Sequence, residues 1–159
     1  FGEVANGARF VQASQLSLPG TGIGTFSDRA RDAVRGGSPM DGDSRLLSAQ
    51  GFVNGLHYDR NTLGQGTRDD LLRAADLVRV GLAGSLRDFR MLDARGRQVR
   101  LAEIDYGGQP AGYVAEPGEV VNYVENHDNQ TLFDINAFKL PATTSREDRA
   151  RVQVLALAI

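Results

Sequence analysis

Cysteine is absent from the 159 residues, which excludes disulfides, thiolate catalysis and cysteine-ligated zinc within this stretch. Lysine is nearly missing: Lys139 stands alone among many arginines, a bias that reads as genome composition. Only two histidines occur, His57 and His127, too far apart in sequence to predict a histidine-rich metal site. Neither sign of charge dominates. A net charge of −2 makes no electrostatic case for nucleic acid or an anionic membrane as partner. No run approaches the roughly 20 apolar residues of a membrane-spanning helix.

What is present is ordinary for a globular protein: 41% apolar and 24% charged residues, in a chain long enough for one domain with a real core. The chain opens on Phe1 and stops inside an apolar helical run at 152–159, with no cap, glycine or polar exit. An internal piece of a longer protein is therefore expected.

Residues 19–24, Pro-Gly-Thr-Gly-Ile-Gly, form a breaker cluster before a short strand at 25–27. The cluster matches neither the dinucleotide fingerprint nor the P-loop and has no P-loop lysine, so it reads as a tight turn. Residues 28–35 predict a short helix ended by Gly36 and Gly37, its Asp28-Arg29 and Arg31-Asp32 pairs read as solvated charge. Asp41-Gly42-Asp43 opens like a calcium loop, but Arg45 and the missing twelfth-position Glu reject an EF-hand. From 45 to 63 the signals predict mostly loop, and His57 beside Tyr58 reads as structural or exposed. Thr67 with Asp70 forms a capping signature ahead of a helix reaching about residue 82, with Leu71, Ala75, Val78 and Leu82 on one apolar face and Gly81 and Gly84 weakening its end. A short strand is predicted at 98–101, between turn signals. Ser145 with Asp148 opens a last helix, apolar all round at its far end and so expected to be buried on several sides. Strands alternating with helices fit βαβ units of a parallel sheet.

The richest stretch is 120–129, Val-Val-Asn-Tyr-Val-Glu-Asn-His-Asp-Asn. A β-branched and aromatic run at 120–124 breaks abruptly into polar residues, the pattern of a buried strand delivering side chains to a rim. The C-terminal edge of a parallel sheet is where ligands bind. There His127 can donate to a hydroxyl and Asp128 can accept from two. On the residues alone, Asn126-His127-Asp128 serves equally well as a hydrogen-bonded strand end. Glu3 and Glu125 are candidate acids by residue type only. Asn129-Gln130-Thr131 is a formal glycosylation sequon, given little weight.

Residues 123–134, Tyr-Val-Glu-Asn-His-Asp-Asn-Gln-Thr-Leu-Phe-Asp, resemble the last catalytic-region motif of glycoside hydrolase family 13, the α-amylase superfamily. Residues 1–6, 13–16, 20–29 and 31–37 resemble its pullulanase and limit-dextrinase subgroup. The resemblance spans the chain, most specifically at 1–40 and 120–138. It implies an α/β fold, a partial (β/α)₈ barrel of about strands 6 and 7 with their helices, so that residues 1–159 are the C-terminal part of the catalytic barrel. It makes Asp128 the third carboxylate, binding hydroxyls of the sugar being cleaved, with His127 its hydrogen-bonding neighbour and Asn126 beside them. The nucleophile Asp and the acid Glu, the latter in a Gly-Glu-Gly-Trp motif before Phe1, lie outside this chain. Phe1 aligns with an aromatic lining the sites beyond the cleaved bond. Met40 stands where the subgroup often has Phe, offering apolar contact in place of stacking.

The activity implied is retaining hydrolysis of α-1,6 branch bonds in pullulan, amylopectin or limit dextrins. The implied partners are an α-glucan and the remaining barrel with its accessory domains. No cofactor is implied within this stretch, and any structural calcium would sit elsewhere in the full enzyme. The isolated stretch is expected to be inactive. Two rival readings remain: another α-glucan enzyme of the superfamily, such as an isoamylase or transglycosidase, and a non-catalytic glucan-binding homologue.

Overall fold

The computed structural model describes residues 13–159, so Phe1, Glu3 and the 1–6 motif lie outside the described residues. The described residues fold as an α/β unit with three two-stranded sheets. Strand β1 (Thr25–Ser27) runs into helix α1 (Asp28–Arg35), and α2 (Asp43–Ser48) and α3 (Arg68–Leu82) follow. Two hairpins come next, β2 (Arg90–Leu92) with β3 (Gln98–Arg100) and β4 (Asp105–Tyr106) with β5 (Gln109–Pro110). Strand β6 (Val120–Asn122), α4 (Leu132–Lys139) and α5 (Arg146–Leu157) complete the order.

The pair that matters for the site is parallel: β1 lies beside β6 with Thr25 opposite Val120 and Ser27 opposite Asn122. This is the ladder that strand–helix alternation predicts. The hairpins are antiparallel and were not expected. The second turns on Gly107 and Gly108, both at positive φ, as a two-residue hairpin requires. Among the described residues the parallel ladder is this single pair, so the full arc of a barrel is not displayed.

Helix α3 starts as its sequence predicts. The Thr67 hydroxyl accepts from the Asp70 amide at 3.1 Å, and the Asp70 carboxylate accepts from the Thr67 amide at 2.8 Å. Ser145 likewise caps α5 through the Asp148 amide at 3.1 Å. The core joins Val34 of α1, Val78 of α3, Leu132 and Ile135 of α4 and Ala156 of α5, with Val124 packed against it.

Several expectations are corrected. The 45–63 stretch is mostly loop, as expected, apart from α2, which runs through residue 48. Strand β6 ends at Asn122, two residues early, because Val124 turns into the helical core. Helix α4 was not expected, although Thr131 and Asp134 carry the same capping signature as the other helices. The far end of α5 is not enclosed: Val154, Leu155 and Leu157 are exposed and only Ala156 of the helix is buried, because the described residues pack one side of it. No helix among the described residues is long and apolar enough to cross a membrane.

Arg29 departs furthest from the sequence reading. It is fully buried, not a solvated surface charge. Its guanidinium lies between the rings of Tyr106 and Tyr113, 4.8 and 4.4 Å from their centroids, and pairs with Asp28 at 2.5 Å. The β4–β5 hairpin thus serves as a lid over α1.

Candidate functional site

The candidate site is the rim that leaves β6, residues 123–131. Its first residues are held down one by one. Tyr123 packs edge-on against Phe26 of β1, with ring centroids 5.4 Å apart, and its hydroxyl accepts from Arg31 at 2.5 Å. Arg31 also pairs with Asp32 at 2.7 Å, and the Tyr106 hydroxyl donates to Asp32 at 2.7 Å. Burial pushes the Asp32 carboxyl upward despite these donors, and burial with the Asp32 hydrogen bond pushes Tyr106 upward as well. Arg31 is dragged down by burial, but Asp32 and Tyr123 outweigh that and raise it.

Glu125, a candidate acid by type, has a structural task instead: its carboxylate accepts from the Leu132 amide at 2.5 Å, the first amide of α4. The rim is thereby closed between the core at Val124 and the start of α4. Between those anchors lie Asn126, His127 and Asp128. His127 and Asp128 are exposed, while Asn126 and Asn129 are half-buried. The Asp128 carboxylate therefore faces solvent, not packed interior.

The hydrogen bond that orients Asp128 comes from a neighbour the sequence reading passed over. Asn129 Nδ2 donates to Asp128 Oδ1 at 2.7 Å and to Asn126 Oδ1 at 3.1 Å. No hydrogen bond joins His127 to Asp128 among the described residues, so the expected imidazole partner is replaced by an amide. Asn129 Oδ1 in turn accepts from Arg35 Nη1 at 2.9 Å, and Gln130 Oε1 accepts from Arg35 Nη2 at 3.1 Å. Arg35 is almost fully buried, and burial together with the nearby Arg31 lowers its pKa. Both ends of the Asn129 amide are thus engaged. The signal that could have found Arg35 is its place at the end of α1, just before the Gly36-Gly37 break.

Met40 is 90% exposed, in the turn after α1, free to offer apolar surface. His57 is half-buried against Tyr58, as a structural histidine would be. The 19–24 turn is a cradle for an anion, but the anion is internal. Glu119 Oε1 accepts from the Gly20 and Gly22 amides at 2.6 and 3.1 Å, and Oε2 from Ala115 and Glu116 at 3.1 and 3.2 Å. Among the described residues no group of three His, Asp or Glu side chains is placed to hold a metal ion.

The chain is 49% identical over 150 residues to the pullulanase of Klebsiella pneumoniae, covering 94% of this chain and 14% of that protein. The chain is homologous to a segment of the pullulanases. The chloroplastic pullulanase 1 of Arabidopsis thaliana is 40% identical over 161 residues, covering 98% of this chain and 16% of its own length. Among solved structures, the Klebsiella pneumoniae pullulanase complexed with maltotriose superposes with a TM-score of 0.88 at 49% identity, covering 94% of this chain and 14% of that one. The apo pullulanase of Paenibacillus barengoltzii superposes at 0.56 with 31% identity, over 92% of this chain and 16% of its own. No family model matches. The chain thus spans about a seventh of the length of the pullulanases it matches, which are glycoside hydrolases.

Proposed function

We propose that these residues form part of the sugar-binding rim of a pullulanase-type enzyme that hydrolyses α-1,6 branch bonds in pullulan, amylopectin and limit dextrins. The observation that carries the reading is the exposed, amide-oriented Asp128 carboxylate at the end of a parallel strand's loop, in a chain homologous to pullulanases. A Klebsiella pneumoniae pullulanase solved with maltotriose supports an α-glucan as the ligand. In this reading the β1–β6 pair is an arc of a (β/α)₈ barrel, at whose C-terminal rim ligands bind.

Retaining hydrolysis of a glycoside uses two carboxyl groups about 5–5.5 Å apart and passes through an oxocarbenium-like state. Those two groups belong to other parts of the protein. Asp128 accepts hydrogen bonds from hydroxyls of the sugar being cleaved, contacts that tighten as the ring distorts and add several kcal/mol in the transition state. His127 and Asn126 complete the polar rim, Met40 gives apolar contact, and Phe1 lines the sites beyond the cleaved bond. The reading assigns no cofactor to these residues, leaves any structural calcium to other parts of the protein, and makes the isolated stretch inactive.

The test is Asp128→Asn in the full-length protein, followed by reducing-sugar release from pullulan and amylopectin. The carboxamide keeps the shape and loses the charge. The expected result is a kcat lowered far more than KM is raised. Near-normal turnover removes Asp128 from the chemistry, and activity on amylopectin without pullulan points to an isoamylase-type enzyme.

A further inference from the structure

Asp128 stands on an exposed loop, yet its hydroxyl contacts, on the reading above, demand a fixed carboxylate. Misplacing a reacting group by about 1 Å can lower a rate by about 10²-fold. Something buried must hold it, and one path of hydrogen bonds leads inward. Asp128 Oδ1 takes Asn129 Nδ2 at 2.7 Å, and Asn129 Oδ1 takes Arg35 Nη1 at 2.9 Å. The planar guanidinium grips the loop twice, since its second nitrogen reaches Gln130 at 3.1 Å. Arg35 is only 2% exposed. Its carbonyl is fixed from two sides, by Asn54 Nδ2 at 2.9 Å and Lys139 Nζ at 3.0 Å. The path therefore ends in a rigid junction of α1, α4 and the 49–54 loop.

We infer that Arg35 and Asn129 are positioning residues for the Asp128 carboxylate, a two-step relay from the end of α1 to the rim. The inference rests on the assignment of Asp128 as a sugar-binding carboxylate. The geometry leaves Asp128 Oδ2 outside the relay, so one oxygen is anchored and the other is presented to a hydroxyl. Asn129 suits the middle place because an amide both donates to a carboxylate and accepts from a guanidinium. Neither an acid nor an aliphatic side chain can do both.

The test uses full-length protein carrying Asp128→Asn, Arg35→Met, Arg35→Lys, Asn129→Ala and the Arg35→Met/Asn129→Ala pair, assayed on pullulan with folding followed by circular dichroism. The relay predicts that Arg35→Met and Asn129→Ala each lower kcat by roughly 10²-fold with KM little changed. The double variant loses no more than the worse single one, because both cut one path. Arg35→Lys restores part of kcat, since an ammonium can donate to Asn129 but lacks the planar, longer guanidinium fork that meets Asn129 and Gln130 in fixed geometry. Losses that multiply in the double variant, or that fall on KM alone, overturn the relay. Should Arg35→Met fail to fold, Asn129→Ala on the half-buried loop decides: unchanged kcat overturns the inference. The two failures are distinguishable. Normal turnover in Asp128→Asn defeats the functional reading itself. Lost turnover there with normal turnover in Arg35→Met and Asn129→Ala defeats only the relay.

Discussion

Lys139 Nζ donates to the carbonyl oxygen of Arg35 at 3.0 Å, joining the last turn of α4 to the last turn of α1. The same ammonium donates to the Gly36 carbonyl and, at 2.7 Å, to that of Ala49. A lysine here is therefore an internal C-cap, donating to carbonyls at the ends of α1 and α2, of which that of Arg35 also accepts from Asn54. Lys139→Met takes this donor from the Gly36 and Ala49 carbonyls, at a cost of about 1–3 kcal/mol for an unsatisfied buried group, while Asn54 still serves that of Arg35. Burial first, and then the Arg35 charge, pulls the Lys139 pKa from 10.5 down to about 7. Between those two values the unfolded chain binds more protons than the folded one, so this group's contribution to stability grows as pH rises through the window. Urea denaturation of both proteins from pH 6 to about pH 9 should show the gap between them widening with pH. A gap independent of pH would falsify the assignment.

Glu119 gives the opposite dependence. Its carboxylate is held below the usual 4.5 by the Gly22 amide first, and by those of Glu116, Gly20 and Ala115. A depressed carboxyl contributes stability that is complete above the unfolded pKa and disappears as pH falls through the folded one. Glu119→Gln should therefore melt lower than the parent near neutral pH, and the difference should shrink on acidification below 4.5. Parallel melting curves across that range would show that the turn does not depend on the charge.

Gly81 looks like a flaw in α3 and is instead its contact point with α1, the most extensively packed helix pair. A Cβ there would collide with the Ala30 methyl. Alanine should gain about 1 kcal/mol in helix propensity, set against an overpacking cost of about 1–3 kcal/mol. Thermal denaturation of Gly81→Ala should show net loss, and adding Ala30→Gly should recover most of it. A single variant more stable than the parent would mean that the helices part without penalty.

Local rules made α1, α3 and α5 legible, because Gly36-Gly37, Thr67 with Asp70, and Ser145 with Asp148 act within a few residues of the ends they define. They also marked where β6 gives way to a polar rim, and so where Asp128 would be found. Helix α4 was just as legible through Thr131 and Asp134, but the stretch reads as a site and its helical signal is short. Arg29 was not legible by any local rule. What buries it is Tyr106, on a hairpin formed much later in the chain, and Tyr113, in the segment that follows that hairpin. The same holds for Glu119, whose donors Gly20 and Gly22 read as a turn until the parallel pairing sets them beside it. The hydrogen-bond path from Arg35 to Asp128 was illegible for a similar reason. Arg35 at a helix end looks like a dipole partner, and only the fold shows its guanidinium turned toward Asn129.

The Glu119 clasp has a topological corollary. It ties residue 20 to residue 119, and the β1–β6 ladder ties 25–27 to 120–122, so everything between is a closed loop with a fixed doorway. Lengthening such a loop twofold adds only about 0.6 kcal/mol of closure entropy. Residues added at the β2–β3 turn, 94–97, thus lengthen that loop while its doorway, and the strand leading to Asp128, stay closed.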